Sequence, residues 1–374
     1  MGREGRPSEF GAKSLDRLAA RLGAPVRRRI TGLLAGIADK VAGRGSSRVY
    51  FGRDYVDREI EILNLKALGY EVGRALAREM LSRKVERAPE VELRSKLCTQ
   101  ADVESDWFIF WAREMNVAPI YHRKLWELSY IAQALWHAGK LRPRMAGLGF
   151  GCGQEVLPSL FAKYGAQIMA TDLAPDRAEA KEWNASGQYA ASVEALRRPD
   201  ICPDETLLAA IEFRHVDMKA IPQEFAGKFD FCWSACALEH LGSIANGLRF
   251  IEASLTTLKP GGLAVHTSEF NLGTGATVDH RNTVLYQERH VAPFVQRLRA
   301  QGYEVAELDF SRGEGVLDNF VDTPPWPNET IGPRFWPYAC LKAYLQGFTC
   351  TSFGLIIRSR PNRASSETPI PSEA

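Results

Sequence analysis

The stretch that most constrains this chain is GLGFGCGQEVLPSLFAKYG. Its glycines stand at 147, 149, 151 and 153, and the acid of MATD, Asp172, follows 21 residues after Gly151. A glycine-rich turn closing a strand lets backbone come close to a ligand because no Cβ intervenes, and a carboxylate ending the next strand can accept both hydroxyls of a ribose. The two features together predict an α/β sheet that holds a nucleoside at its carboxyl edge. The spacing is not that of the dinucleotide fingerprint GxGxxG, because the sixth position counted from Gly147, Gly149 or Gly151 is Cys152, Gln154 or Val156. A pyrophosphate on a helix N-terminus, and with it a nicotinamide dehydrogenase, is disfavoured.

From Met145 onward strand and helix patterns alternate, the signature of a parallel sheet with crossover helices. Strands are expected at 145–150, 167–172, 212–217, 229–234, 263–269, 303–310 and 351–359. The gaps 185–210 and 311–350 exceed ordinary connections and read as insertions in a domain spanning 141–360. Ahead of it, 54–140 reads as a helical N-terminal region, with a long helical pattern from Asp57 to Glu86 and an apolar face of Leu125, Leu128, Ile131 and Leu135 leading into the first strand. The tail 361–374 is expected to be disordered.

Charge is uneven. Residues 1–53 hold twelve Lys/Arg against four Asp/Glu, a local +8 in a chain of net +2, which leaves 2 − 8 = −6 for the rest. The leader's second helical stretch places Ile30, Leu33, Leu34, Ile37 and Val41 on one face behind Arg27, Arg28 and Arg29. Such a helix can lie on an anionic membrane surface, or pack on the domain or on a second copy in a homodimer. The acidic remainder argues against a nucleic-acid acceptor. No apolar run is long enough to span a bilayer, no secretory signal opens the chain, and the seven cysteines show no paired spacing, so a cytoplasmic protein with reduced thiols is expected, with peripheral contact at the inner membrane face through the leader as the alternative. Neither HExxH nor a Cys/His quartet occurs, and no metal is expected.

The glycine turn resembles the first motif of class I S-adenosylmethionine-dependent methyltransferases. Four further stretches carry the resemblance: HVDM with Asp217 and Met218, KFDFCWSACALEHL with Leu238, Glu239 and His240, LKPGG at 258–262, and the final YEVAELDF and TSFGLIIRS. It covers about residues 121–360. It implies an α/β, Rossmann-like fold with a seven-stranded mostly parallel sheet in the order 3-2-1-4-5-7-6, here with an N-terminal helical extension. It also implies S-adenosyl-L-methionine as cofactor, held by Gly149, Gly151, Gly153, Asp172, Leu173, Asp217, Met218 and Ser234, with Arg123 toward the methionine carboxylate. The sequence departs from the motif twice. Gly149 stands where an acid usually begins it, and Glu155 where its third glycine sits, so Glu155 is expected to supply a polar contact near the methionine moiety. YHRKLWE, the glycine turn and HTSEFN look more locally like a bacterial subgroup associated with saccharide and glycolipid assembly.

Methyl transfer from a sulfonium is an in-line displacement, so positioning supplies most of the catalysis, and a hydroxyl acceptor needs a base within about 2.6–3.2 Å or one water. His240, after the fourth strand, is the first candidate, followed by His280 and His290. His266, inside a strand pattern, reads as scaffold. The expected activity is methylation of a hydroxyl on a saccharide, glycolipid or related metabolite. N- or C-methylation of a small metabolite, and a catalytically silent binding module, are the alternatives.

Overall fold

The structure, a computed structural model, describes residues 58–177, 192–324 and 338–360. The basic leader, the tail, residues 178–191 at the start of the first insertion and residues 325–337 within the second lie outside the described residues.

Helices α1 (Arg58–Ser82), α2 (Gln100–Val103), α3 (Asp106–Glu114) and α4 (Arg123–His137) precede the main sheet; α5 (Leu157–Lys163), α6 (Glu205–Ala209), α7 (Ile244–Leu255) and α8 (Glu288–Ala300) connect its strands. The strands are β1 (Ser95–Lys96), β2 (Ala146–Gly149), β3 (Gln167–Asp172), β4 (Ile211–His215), β5 (Phe229–Ala235), β6 (Leu258–Asn271), β7 (Glu304–Val305), β8 (Leu308–Asp309), β9 (Val321–Asp322), β10 (Lys342–Leu345) and β11 (Phe348–Arg358). Among the described residues the main sheet has nine strands rather than seven, in the order β4-β3-β2-β5-β6-β11-β10-β9, with β7 paired to the far end of β11. From β4 to β6 the pairing is parallel, and β11 returns antiparallel to β6.

The expected sixth strand is broken for a reason visible at β11. On that edge Phe348–Cys350 pairs with β10, contributed by the second insertion, and the next stretch is met by the end of β1, where Leu97 bridges Phe353 and Cys98 N donates to Ser352 O, so Glu304–Val305 pairs only with Ile357 and Arg358. The chain then leaves, and Leu308–Asp309 pairs with β1 in a separate two-stranded sheet.

Local chemistry starts the helices. Ser105 Oγ accepts from Phe108 N, Ser243 Oγ from Asn246 N, and His122 Nδ1 from Lys124 N, each satisfying a donor left over at a helix start. The α4 face continues past its apolar stripe, and Arg123, Glu127, Ser129 and Gln133 are buried with Leu125 and Ile131. Gly354 on β11 explains how close α4 comes: a Cβ there would lie 2.2 Å from the Tyr130 ring, and the Tyr130 hydroxyl donates to Arg94 O at 2.7 Å. The residues of 84–140 thus share one apolar layer with the sheet, where Phe161 meets Phe231 and Trp233 edge-on. The opposite face packs α7 and α8 over Phe150, Phe250 and Phe294. Both faces being covered is what a parallel sheet requires, and it leaves the carboxyl edge of β2 to β6 as the place for a ligand.

Candidate active site

At the end of β2 the chain turns through Gly151 and Gly153 with φ of +58° and +50°, left-handed values that a side chain disfavours. Cys152 N donates to Thr171 O and Phe150 N to Trp233 O, pinning the turn between β3 and β5. Asp172 ends β3 half-buried, its Oδ2 accepting from Gly153 N at 3.1 Å and its Oδ1 from Leu173 N at 2.8 Å. The carboxylate is thereby aimed at the glycine turn. Val216 N donates to Asp172 O, which brings the exit of β4 alongside, and a Cβ on Gly151 would meet Met218 Sδ at 3.3 Å and Ala237 Cβ at 2.8 Å. Gly151, Asp172, Met218 and the turn after β5 therefore border one cradle, with the bare glycine backbone where a bound group would pass.

The two departures from the motif are one packing solution. A Cβ on Gly149 would lie 2.4 Å from Cys152 Sγ and 2.5 Å from the Trp233 ring, so an acid does not fit there. Glu155 instead reaches Trp233, whose Nε1–H donates to Oε1 at 2.6 Å. Burial pushes the Glu155 carboxyl up to about 8, the Trp233 bond opposing. Trp233 was not singled out from sequence, where an aromatic inside a strand reads as core.

Asp217 turns outward: its Oδ1 accepts from Lys219 N at 2.8 Å, and its Oδ2 lies 3.4 Å from the exposed Arg177. Two expected cofactor residues point elsewhere. Ser234 Oγ is bonded to His266 Nδ1 at 2.8 Å in the interior between strands, and Ser254 holds the other ring nitrogen, which makes His266 scaffold. Arg123 is buried, its Nη1 2.5 Å from Glu269 Oε1, so its guanidinium neutralises a carboxylate of the protein rather than standing open to a ligand.

Among the candidate bases, His240 is mostly buried after β5, with Nδ1 2.9 Å from Asn282 O and 3.2 Å from Thr283 Oγ1. If Nδ1 carries the proton donated to Asn282 O, Nε2 is the basic nitrogen, and burial lowers the imidazole to about 4. His290 fills a capping role at the start of α8, its Nδ1 accepting from Gln287 N at 3.1 Å, which ties the ring to its own helix rather than to the edge of the sheet. His280 is exposed with φ of +54°, 3.7 Å from Asp279, on a segment that Asp279 ties to the start of α7.

Sequence reasoning missed the buried charge cluster beside this edge. Lys124 Nζ lies 3.0 Å from Glu269 Oε1 and 3.2 Å from Glu127 Oε1, and Ser352 donates to Glu127. Against their burial, Arg123 and Lys124 hold Glu269 below the usual carboxylate range. Burial, with Glu269 adding like charge against the pull of Lys124, raises Glu239. All seven cysteines are free thiols.

The fold is a mixed α/β domain with a mostly parallel central sheet and a glycine-lined cradle at its carboxyl edge, and comparison narrows the class. A family model described as a methyltransferase domain matches residues 148–266, about a third of the chain, and a domain of that kind uses S-adenosylmethionine. A ubiquinone biosynthesis O-methyltransferase from Acinetobacter baylyi is 26% identical over 153 residues, 41% of this chain and 54% of that protein. The chain thus spans about half the length of the curated relative it matches. Among solved structures, a Burkholderia thailandensis 1,6-didemethyltoxoflavin-N1-methyltransferase is 16% identical over 63% of this chain and 78% of its own, with a TM-score of 0.33. A Haemonchus contortus phosphoethanolamine N-methyltransferase 2 is 16% identical over 61% and 51%, with a TM-score of 0.36. Superpositions this loose carry no argument about activity. Among the described residues no helix is long and apolar enough to cross a membrane.

Proposed function

We propose that the protein transfers a methyl group from S-adenosylmethionine to a hydroxyl of a small molecule, with a saccharide or glycolipid as the acceptor class. The observation that carries the cofactor half is the cradle itself. Two left-handed glycines face a carboxylate whose orientation is set by two backbone N–H groups, inside the segment that matches a methyltransferase domain. These residues fit an adenosyl group: Asp172 is placed to accept from ribose hydroxyls, Met218 to pack on the base, and Glu155 to face a cationic end. The cofactor, when bound, supplies an electrophilic methyl on sulfur. What the chain supplies is position and a proton acceptor.

His240 is the residue for that proton, since it follows β5 at the carboxyl edge and its Nδ1 contact with Asn282 O orients the ring. The O-methyltransferase relative supports an oxygen acceptor, and the local resemblance of YHRKLWE and HTSEFN supports the saccharide class. The test is incubation of the protein with isotope-labelled S-adenosylmethionine and a cell extract, followed by mass spectrometry of whatever gains a methyl group. A labelled methyl ether on a sugar is expected; label found only on nitrogen or carbon rejects the hydroxyl acceptor. Absence of S-adenosylhomocysteine binding by calorimetry rejects the enzyme reading as a whole and favours a silent module.

A further inference from the structure

Cys236, Glu239 and Glu269 each present a ligand atom within 4.8 Å of the other two. Glu239 is fully buried, and apart from a weak contact from the Cys236 thiol neither of its oxygens has a hydrogen-bond partner. Glu269 divides its two oxygens: Oε1 takes Arg123 and Lys124, while Oε2, also buried, takes nothing. Lys124 is spent on Glu127 and Glu269 rather than on Glu239. In this pocket three carboxylates, Glu127, Glu239 and Glu269, face two cations, Arg123 and Lys124. A buried acceptor without a donor costs about 1–3 kcal/mol, and more when charged. The arrangement is one positive charge short, and the shortfall sits at Glu239.

We propose that Cys236, Glu239 and Glu269 form a binding site for a divalent transition-metal cation of the zinc or cobalt class. One thiolate with two carboxylates is a mixed soft and hard donor set that suits such an ion better than magnesium, which prefers oxygen alone. The ligand atoms lie within 4.8 Å of one another, and bonds of about 2.0–2.3 Å put neighbouring ligands roughly 3–4.5 Å apart, so side-chain rotation is enough to close the set on one ion. Three protein ligands leave a coordination position for water or an acceptor oxygen, the pattern of catalytic rather than structural sites. Its place supports that use: Ala237, between Cys236 and Glu239, lies beside the glycine turn, where a Cβ on Gly151 would come within 2.8 Å of it. The spacing escapes a motif search because the set is C-x-x-E with a third ligand thirty residues on in a different strand.

The inference rests on the site but is tested without methyl transfer. Full-length protein stripped with a chelator is titrated by calorimetry with zinc, cobalt, manganese and magnesium chlorides, and bound metal is counted by mass spectrometry. About one zinc per chain is expected, with proton release and a thiolate-to-metal absorption band in the cobalt form. Cys236→Ser abolishes the band and weakens zinc binding roughly tenfold or more; Glu239→Gln weakens it likewise; Cys98→Ser, at a buried thiol elsewhere, changes neither. Should Glu239→Gln fail to fold, Cys236→Ser decides alone. Wild type that binds none of the four metals, or binds with no cobalt band and no sensitivity to Cys236→Ser, overturns the site in favour of a proton shared between the two carboxylates. Calorimetry with S-adenosylhomocysteine on the same sample separates the two readings, because each ligand can be lost without the other.

Discussion

Replacing Glu155 with Gln should make the protein's stability less sensitive to pH across the neutral range, and the sign follows from where the carboxyl sits. Its ordinary value is 4.5, and burial moves it to about 8 in the folded chain. Between those values the folded state holds a proton that the unfolded state has released, so stability falls as pH rises. At about 1.4 kcal/mol per pH unit, the interval caps the effect at roughly 5 kcal/mol. The Trp233 bond and relaxation of the half-buried turn bring a realistic figure to roughly 2–3 kcal/mol. Glutamine keeps the acceptor oxygen for Trp233 and never ionises, so its loss of stability from about pH 5 to pH 8 should be smaller by that amount. Urea unfolding of both proteins at the two pH values measures the difference. Parallel curves would refute the claim that Glu155 is held protonated, and the coupled account of Gly149 and Glu155 would fall with it. The same proton offers a second readout: if a cationic ligand end binds beside Glu155 and ionises it, binding of S-adenosylhomocysteine near pH 7 releases a proton. Its apparent enthalpy should then vary with the buffer's ionisation enthalpy in wild type and not in Glu155→Gln.

Asp172→Ala removes a charged acceptor and leaves Gly153 N–H and Leu173 N–H without their partner, so S-adenosylhomocysteine affinity should fall by about 1.5–3 kcal/mol, roughly 10- to 150-fold, by calorimetry; a change under threefold would contradict the assigned ribose contact. His240→Ala should lower turnover by about 10²-fold or more while cofactor affinity stays within a few fold, and unchanged turnover would remove it as the base. Gly151→Ala forces a side chain into a left-handed turn and against Ala237, so it should cost roughly 1–3 kcal/mol in denaturant unfolding and weaken cofactor binding; wild-type values for both would mean the turn can move aside. Asp322→Ala removes the carboxylate that buried Lys66 pairs with, leaving that cation on the Thr323 carbonyl, and a melting experiment should show a loss of about 3–5 kcal/mol; no loss would mean that the pair does not hold α1 to the sheet.

What was legible in the sequence is what contiguous residues encode. The alternating glycines, the acid ending the next strand and the apolar runs between them are local signals, and each corresponds to one strand, turn or helix start that the backbone builds by itself. His266 was legible as scaffold for the same reason, since a strand pattern on both sides buries whatever lies in the middle. The chemistry that escaped is distributed. Arg123 and Glu269 lie 146 residues apart and meet only because α4 settles on the sheet through Tyr130 and Gly354. Once they meet, a cation assigned to the ligand becomes a counter-charge of the protein, and Glu269, at the end of an expected strand, becomes part of the charge cluster. The broken sixth strand has the same origin, because its pattern was correct for a strand and the arrival of residues 95–98 and of β10 on the same edge of β11 left only Glu304–Val305 a place there. The pair Glu155 and Trp233 shows how a departure from a motif can be read forward: Trp233 occupies the space beside position 149, so glycine there and an acid six residues later are a single substitution in space. If that is so, Trp233→Phe should take away a donor that favours the charged form of Glu155 and make its carboxyl harder still to ionise, while Gly149→Asp should be tolerated only when Trp233 is made smaller as well. A double-mutant cycle between positions 149 and 233 that showed simple additivity would mean the two departures are independent accidents of the chain.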